Sequence, residues 1–244
     1  MSPKHVVSCS FGKDSIATIL LALEHGEPLD EAVYCEVMFD DDTSGEVPEH
    51  QVFIYQAAIP ALEKLGIPVR VLRSEKTYTS VFMGKVTRGS KKGMIRSFPV
   101  CGKCYVQRDC KMHPIRQYQK TLPSNTVQYI GIAKDEPQRL ARLGGNQVSL
   151  LEKYGYTEDD AKQLCKQAGL LSPVYEFADR GGCWFCPNAK LSELRHLYDH
   201  HPDLWQKMMR LQIVPGKVTE KFNRGQTFAD IDAMFREQDL QAAA

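Results

Sequence analysis

Close to its beginning the chain reads His5-Val6-Val7-Ser8-Cys9-Ser10-Phe11-Gly12-Lys13-Asp14-Ser15. The first residues of this stretch form a short apolar run that is typical of a buried strand. Apolar residues then recur at the spacing of a helix, at Ile16, Ile19, Leu20 and Leu23. The predicted order is therefore strand, tight loop and helix.

The same alternation continues through the first 145 residues. Short apolar runs at 32–39, 69–72 and 127–133 predict three more strands, and residues 48–65 predict a helix closed by Gly66. Short buried strands that alternate with longer helices are typical of a parallel sheet with helices on both faces. We therefore predict an α/β fold for this part of the chain.

Beyond residue 145 the patterns are helical. Thr157 precedes three acidic residues and is placed to cap a helix that runs to about residue 167. Residues 188–211 predict two further helices that are broken at Pro202. No strand is predicted in this region.

These patterns predict two domains. Residues 1–145 form a nucleotide-binding α/β domain with a basic insertion at 77–120, and residues 146–244 form a helical region that packs on the first domain. No apolar run reaches the roughly 20 residues needed to cross a membrane, and residues 1–25 lack a signal-peptide pattern. We therefore expect a cytoplasmic protein with no membrane partner.

Charge is distributed unevenly along the chain. The formal net charge is only +1, but residues 14–63 carry twelve acidic side chains and no lysine or arginine. Residues 64–142 carry seventeen basic side chains and four acidic ones, and the basic residues are densest at 85–120. This asymmetry suggests an anionic partner, either a nucleic acid or the phosphates of a nucleotide; a solvated basic face is the alternative.

The loop between the first strand and its helix has the composition of an anion site. A helix N-terminus presents unpaired N–H groups and about half a positive charge. Ser10, Gly12 and Ser15 would let amides and hydroxyls approach a phosphate, and Lys13 would add a mobile positive charge. Open α/β sheets bind ligands at this carboxyl end of the strands. An ordinary strand-to-helix turn is the alternative.

Two Cys-x-x-Cys pairs occur in a chain that has eight cysteines: Cys101 with Cys104, and Cys183 with Cys186. Four thiolates brought together suit tetrahedral Zn²⁺ or an iron–sulfur cluster, and disulfides are rare in the cytosol. Cys110 is a fifth candidate that could replace Cys101, and buried core thiols are the alternative. Three other cysteines lie within apolar strand or helix patterns and are predicted to be core residues: Cys9, Cys35 and Cys165.

Several motifs together resemble a known family. The Ser-x-Gly-Lys-Asp-Ser loop of residues 10–15 is similar to the pyrophosphate-binding loop of the ATP-pyrophosphatase (PP-loop) superfamily, in particular its phosphoadenosine phosphosulfate reductase-like branch. The other segments that resemble this branch are 39–48, 93–99, 108–115, 131–139, 156–158, 182–187, 193–195 and 202–205. The resemblance implies the fold of the adenine nucleotide α-hydrolases, with ATP or a related adenine nucleotide at the carboxyl edge of the sheet.

The resemblance also implies roles for individual residues. The residues expected to bind the nucleotide are Ser8, Ser10, Phe11, Gly12, Lys13, Asp14, Ser15, Asp40, Gly131 and Asp135. The residues expected to take part in catalysis are Lys13, Asp14, Arg108, Lys111 and Glu136.

Two subsets of these residues have more specific expectations. Asp14, Asp40 and Glu136 are candidates for Mg²⁺, although the helix dipole alone would also explain Asp14, and Glu136 could instead pair with Arg139. On the substrate side, a phosphate, a sulfate or a nucleic-acid backbone would be held by Arg108 and Lys111.

The chain departs from the resembled branch in two places. Its cluster-binding reductases have adjacent cysteines upstream, where this chain has Cys-x-x-Cys, so both Zn²⁺ and a [4Fe–4S] cluster stand as candidates for Cys101, Cys104, Cys183 and Cys186. Those reductases also use a nucleophilic cysteine in a Glu-Cys-Gly tail, and residues 227–244 contain no cysteine. Reduction of a sulfonucleotide by that route is therefore not expected.

The sequence favours an enzyme that adenylates a substrate with release of pyrophosphate and then replaces the activated oxygen, with sulfur as the expected replacement. The acceptor would be a nucleic acid or a small molecule, and a sulfur-donor protein is an expected partner. Two alternatives stay open: a sulfonucleotide reductase-like enzyme that binds phosphoadenosine phosphosulfate, and a non-catalytic nucleic-acid-binding module stapled by a metal.

Overall fold

A parallel five-stranded sheet forms the centre of the computed structural model, which describes residues 3–99 and 104–243. The strands are β1 (His5–Ser8), β2 (Glu31–Glu36), β3 (Val69–Arg73), β4 (Val127–Ile130) and β5 (Gln147–Val148). Their order across the sheet is β3-β2-β1-β4-β5, with every neighbouring pair parallel. The predicted parallel α/β fold is confirmed.

One prediction about the strands is wrong. β5 lies beyond residue 145, where no strand is predicted, and pairs with β4 through Gln128 and Tyr129. Because β5 has only two residues, Gln147 and Val148, its sequence is too short to show the alternation by which a strand is recognised.

The described residues form eleven α-helices. They are α1 (Lys13–Glu24), α2 (Pro48–Phe53), α3 (Ile59–Lys64), α4 (Tyr78–Phe82), α5 (His113–Gln119), α6 (Pro137–Leu140), α7 (Leu150–Lys153), α8 (Glu158–Gln167), α9 (Leu191–His200), α10 (Pro202–Gln212) and α11 (Phe228–Ala242). A π-helical turn, Ile54–Ala58, joins α2 to α3, so the helix predicted over 48–65 is present but has a wide turn in its middle. A second π-helical turn spans Gln107–Met112, and a 3-10 helix spans Pro173–Glu176.

The helix ends after residue 145 follow the predicted signals. Thr157 caps α8 by accepting a hydrogen bond from the Asp160 amide, and the Asp160 side chain accepts one from the Thr157 amide. Pro202 is the first residue of α10, so the helical stretch is broken between α9 and α10 at this proline. Both predictions are confirmed. Such signals can be recognised in a sequence because capping residues and proline act on only a few neighbouring residues. No helix among the described residues is both long and apolar enough to span a membrane.

The residues group into two compact units. The first, the sheet unit, comprises the described residues of Met1–Glu36, Glu46–Arg73 and His113–Gly181, and it contains all five strands. The second, the cysteine unit, comprises the described residues of Val37–Gly45, Ser74–Met112 and Gly182–Ala244. Residues 146–181 thus lie in the sheet unit, and the predicted domain boundary at residue 145 stays a prediction.

Strand β2 is buried along its whole length. Because alternate side chains point to opposite faces, full burial means that both faces of the sheet are covered at this strand. Two of its buried residues are acidic, and both pair with arginines of β3: Glu31 with Arg70 at 3.1 Å, and Glu36 with Arg73 at 2.6 Å. Strand β3 lies at the edge of the sheet, so each arginine reaches solvent while its partner stays buried.

The cysteine unit has its own aromatic core. Trp205 of α10 packs on Phe228 and Phe235 of α11, and its indole N–H donates to Asp232 at 2.7 Å. These groups are all buried. This packing joins α10 to α11.

Candidate functional site

The loop of residues 9–12 leaves the sheet at its topological switch point. Strand β1 is flanked by β2 on one side and by β4 on the other, so the chain reverses the direction of strand addition at β1. In open α/β sheets the crevice at such a point is where ligands bind. The predicted phosphate loop follows β1, and Gly131 follows β4 at the same edge.

Gly131 brings the end of β4 against the start of α1. A β-carbon at this position would lie 2.7 Å from the carbonyl carbon of Asp14 and 2.8 Å from the amide nitrogen of Ser15. Real side chains do not approach backbone atoms this closely. The absence of a side chain at Gly131 is therefore what allows α1 to begin where it does.

Replacing Gly131 with alanine should destabilise the sheet unit, since either α1 or β4 has to move. Overpacking of this kind costs about 1–3 kcal/mol, which urea unfolding can measure. Gly144→Ala is the matched control, because a β-carbon there meets nothing within 4 Å. Equal unfolding free energies for the two variants would contradict the close approach at Gly131.

Hydrogen bonds within the loop fix its shape. The carbonyl of Gly12 accepts from the Ser15 amide at 3.1 Å and from the Ser15 hydroxyl at 2.9 Å. The Ser15 hydroxyl also accepts from the Ser10 amide at 3.3 Å. Phe11 adopts the left-handed backbone conformation, with φ of 57°, and its side chain is fully buried against Tyr34. A non-glycine residue in this conformation is uncommon and persists where its surroundings enforce it.

Lys13 lies at the first position of α1 and is only 9% exposed. Its ammonium group contacts Asp14 at 2.7 Å and Glu158, the first residue of α8, at 3.4 Å. Burial raises the pKa of the Asp14 carboxyl; Lys13 opposes this rise, and the carboxylates of Glu158 and Glu136 add to it. The start of α1 thus combines one buried cation with a cluster of acidic groups.

Two residues that sequence reasoning missed hold this loop. The hydroxyl of Tyr175 accepts a hydrogen bond at 2.8 Å from the Lys13 amide, one of the unpaired N–H groups of the helix start. The buried imidazole of His50 lies 2.8 Å from the Ser172 hydroxyl and 3.2 Å from the Ser10 carbonyl. All three contacts join residues far apart in sequence, so no local sequence pattern predicts them.

Three other predicted site residues of the sheet unit are Ser8, Asp135 and Glu136. Ser8 is exposed at the end of β1. Asp135 accepts a hydrogen bond from the Glu158 amide at 3.1 Å and thereby helps to cap α8. Glu136 accepts from the Ala133 amide at 3.2 Å and pairs with Arg139, which is the alternative that the sequence left open.

The remaining predicted site residues lie in the cysteine unit. Asp40 binds Lys207 at 2.6 Å; burial opposes its ionisation, but hydrogen bonds from Lys207 and Thr43 outweigh this and lower its pKa. Arg108 makes two hydrogen bonds to its neighbour Asp109, at 2.6 and 2.8 Å. Lys111 lies in the same π-helical turn as Arg108.

Three of the predicted metal ligands lie in the cysteine unit, whereas Cys101 lies outside the described residues. Cys183 and Cys186 form a tight turn in which the Cys186 amide donates to the Cys183 carbonyl at 3.0 Å. The Cys104 sulfur accepts from the Gln107 amide at 3.4 Å. Cys110, the other candidate, is fully buried in the π-helical turn.

Tyr78 packs beside the Cys183–Cys186 turn. Its ring stacks on Phe185, within the Cys183–Cys186 turn, at a centroid distance of 4.1 Å. Burial raises the pKa of Tyr78 well above its ordinary value, and Tyr105 and the thiol groups of Cys104, Cys183 and Cys186 raise it further. The three cysteines therefore act on one buried hydroxyl, whose position no sequence pattern predicts.

Burial of the remaining cysteines is confirmed. The side chains of Cys9, Cys35 and Cys165 are all buried. Burial raises the pKa of the Cys165 thiol to about 12, and this thiol donates to the Lys13 carbonyl at 3.1 Å. A thiol held protonated in this way is a poor metal ligand.

No protein-family model matches the sequence, and no curated protein matches it significantly. Among solved structures, the chain is similar to the U34-tRNA thiolase NcsA from Methanococcus maripaludis with its [4Fe–4S] cluster. The identity is 15%, the match covers 97% of this chain and 72% of that chain, and the TM-score is 0.43. A likeness at this level does not establish a shared activity.

Proposed function

We propose that this protein is a PP-loop enzyme that binds ATP, transfers the adenylyl group to a substrate oxygen with release of pyrophosphate, and replaces that oxygen with sulfur. The observation that carries the proposal is the placement of the Ser10–Ser15 loop. This stretch lies at the switch point of a parallel sheet and includes the first turn of α1, with Lys13 at the first helical position and Gly131 against the helix start.

The sheet unit supplies the groups that this reaction needs. The amides at the start of α1 and the ammonium of Lys13 would stabilise the charge that develops on the leaving pyrophosphate. Asp14 and Glu136 would hold Mg²⁺, since carboxylates are its preferred protein ligands and Glu136 contributes to the raised pKa of Asp14. When bound to these two carboxylates, Mg²⁺ would neutralise part of the negative charge of the phosphates.

The chemistry balances without an external oxidant or reductant. In the first step the substrate oxygen forms a bond to the α-phosphorus of ATP, and the bond from that phosphorus to the bridging oxygen breaks. In the second step a sulfur at the oxidation level of hydrosulfide bonds to the substrate carbon, the carbon–oxygen bond breaks, and AMP leaves. A sulfur-donor protein would provide this sulfur.

The cysteine unit would hold a metal centre through Cys104, Cys183 and Cys186, with Cys101 or Cys110 as a further ligand. Thiolates have the chemistry for this role, and the buried Tyr78 hydroxyl, which these thiols influence, has no hydrogen-bond partner among the described residues. Both Zn²⁺ and a [4Fe–4S] cluster accept such ligands. An iron–sulfur cluster would supply a binding site for sulfur, whereas Zn²⁺ would stabilise the fold.

A nucleic-acid acceptor is favoured by the basic hairpin, which we define as residues 85–95. Its arms are joined by hydrogen bonds between Val86 and the Met94 and Gly93 backbones, both at 2.9 Å. Four exposed basic side chains project from it: Lys85, Arg88, Lys91 and Lys92. Within the described part of the chain, no ion pair neutralises these four groups.

Replacing these four residues with glutamine should weaken nucleic-acid binding and flatten its dependence on salt. Each lost phosphate contact lowers the slope of log K against log salt by about 0.7 for a single strand and about 0.9 for duplex DNA. Fluorescence anisotropy at several salt concentrations measures both quantities. Lys166→Gln, an exposed change on α8, is the control. An unchanged slope in the quadruple variant would exclude the basic hairpin as the nucleic-acid contact.

The test of the proposed function is pyrophosphate release. Protein purified without oxygen is incubated with ATP and Mg²⁺, with and without RNA or DNA, and pyrophosphate and AMP are measured. Acceptor-dependent release of both supports the proposal. Binding of phosphoadenosine phosphosulfate without ATP binding would instead favour the reductase-like alternative, and nucleic-acid binding without any turnover would favour the non-catalytic module.

A further inference from the structure

Tyr78 carries a buried hydroxyl that the polypeptide leaves unsatisfied. The side chain opens α4 and is completely buried. Among the described residues and their hydrogen bonds, the Tyr78 hydroxyl has no partner. A buried polar group in this state costs free energy, so its presence calls for an explanation such as a bound ion or group.

Tyr78 is closely packed by aromatic rings. Its ring contacts Phe185 at 4.1 Å and Phe39 at 5.3 Å, and these two rings also contact each other at 5.4 Å, all measured between ring centroids. The turn that carries Phe185 is fixed in its own right, because the Trp184 amide donates to the Gly45 carbonyl at 3.0 Å and the Trp184 indole to the Ser44 carbonyl at 2.9 Å. These contacts hold the ring of Tyr78 in place and so fix the position of its hydroxyl.

Three of the proposed ligands act on this hydroxyl. Phe185 lies inside the Cys183–Cys186 turn, so the stacked ring of Tyr78 lies beside that turn. Cys104, Cys183 and Cys186 all influence the hydroxyl electrostatically, after burial itself and after Tyr105. The hydroxyl of Tyr105, in contrast, donates to the Ser97 carbonyl and is satisfied.

We infer that the Tyr78 hydroxyl donates a hydrogen bond to a sulfur atom of the metal centre held by Cys104, Cys183 and Cys186. The acceptor is a ligand thiolate or, in an iron–sulfur cluster, an inorganic sulfide. Tyr78 is thus a positioning residue that acts on the metal centre without ligating it. This inference rests on the metal site of the proposed function and adds a residue to it.

The inference has opposite consequences for the metal-free and the loaded protein. In the metal-free protein, Tyr78→Phe removes an unsatisfied hydroxyl and keeps the ring, so the Tm should stay the same or rise. In the loaded protein the same change removes a hydrogen bond to a charged acceptor, so a chelator should withdraw the metal about tenfold faster. A purely structural role for Tyr78 would move both quantities in the same direction.

The experiment compares wild type, Tyr78→Phe and Tyr118→Phe. Tyr118 is the matched control, because its hydroxyl is also buried without a partner among the described residues but belongs to the sheet unit. Full-length protein is reconstituted without oxygen, with Fe²⁺ and sulfide in one arm and with Zn²⁺ in the other. Metal content, the Tm with and without metal, and the rate of release to a chelator are then measured.

Faster release from Tyr78→Phe alone, with an unchanged or higher metal-free Tm, supports the inference. Equal release from wild type and Tyr78→Phe, both fully loaded, would overturn the inference and leave the proposed metal site intact. A lower metal-free Tm for Tyr78→Phe would also overturn it, since the hydroxyl would then have a partner within the polypeptide. If wild type bound neither metal, the proposed metal site would fail and the inference would fail with it.

Discussion

Replacing Lys13 with alanine should lower the rate of pyrophosphate release by about 10²- to 10³-fold, which is the usual effect of removing one group that stabilises developing charge. Lys13 is the buried cation at the start of α1, and it contacts two carboxylates, Asp14 and Glu158. When these lose their cation, the local charge becomes more negative and repels the triphosphate. We therefore expect kcat to fall and KM for ATP to rise.

The control for this experiment is Lys166→Ala. Lys166 carries the same charge on α8 of the same unit but is exposed, so its loss should leave turnover within about twofold of wild type. Circular dichroism would establish that both variants are folded. If Lys13→Ala turned over ATP at the wild-type rate, the loop would not be the site from which pyrophosphate leaves. If that variant also bound nucleic acid as tightly as wild type, the non-catalytic module would be favoured.

The second large effect is expected for Cys183→Ser and Cys186→Ser. Each change removes one thiolate from a site that requires several, so the bound metal should fall from one centre per chain to near zero. Metal analysis and the visible spectrum measure this loss. Cys165→Ala is the control, because the pKa of that buried thiol is raised to about 12 and it cannot readily supply a thiolate. Retention of metal by both serine variants would exclude this pair as ligands.

Metal analysis of two further variants would identify the remaining ligand. Cys110 is buried in the π-helical turn, and Cys101 lies outside the described residues. Only one of the variants Cys101→Ser and Cys110→Ser should lose the metal. Loss in both would indicate that one of the two supports the site without binding to it.

The elements that sequence predicted correctly are those with signals within a few residues. The loop before α1, the Thr157 cap of α8 and the break at Pro202 each depend on neighbours along the chain. The π-helical turn at Ile54–Ala58 has no such signal, because the apolar pattern of a helix does not reveal one wide turn.

The contacts between residues of the candidate site are harder to predict from the sequence than the helices and strands. The sequence predicts Glu158 as an acidic residue in the first turn of a helix and as part of a segment that resembles the family, and the structure adds its contact with Lys13. Tyr175 reaches the Lys13 amide across 162 residues of chain, and Tyr78 lies more than 100 residues before the Cys183–Cys186 turn. Such contacts depend on tertiary packing, and a single sequence contains no periodicity that would reveal them.

The paired charges along β3 have a consequence for how the molecule behaves in a crowded solution. An edge strand exposes unpaired backbone groups to which a strand of another chain could add. Here that edge carries Arg70 and Arg73, each more than half exposed and held by a buried carboxylate of β2. An incoming strand would have to pack its own side chains against these two long side chains, which are held in place by their ion pairs. We therefore expect the ion pairs of β2 and β3 to disfavour the addition of a foreign strand at the β3 edge.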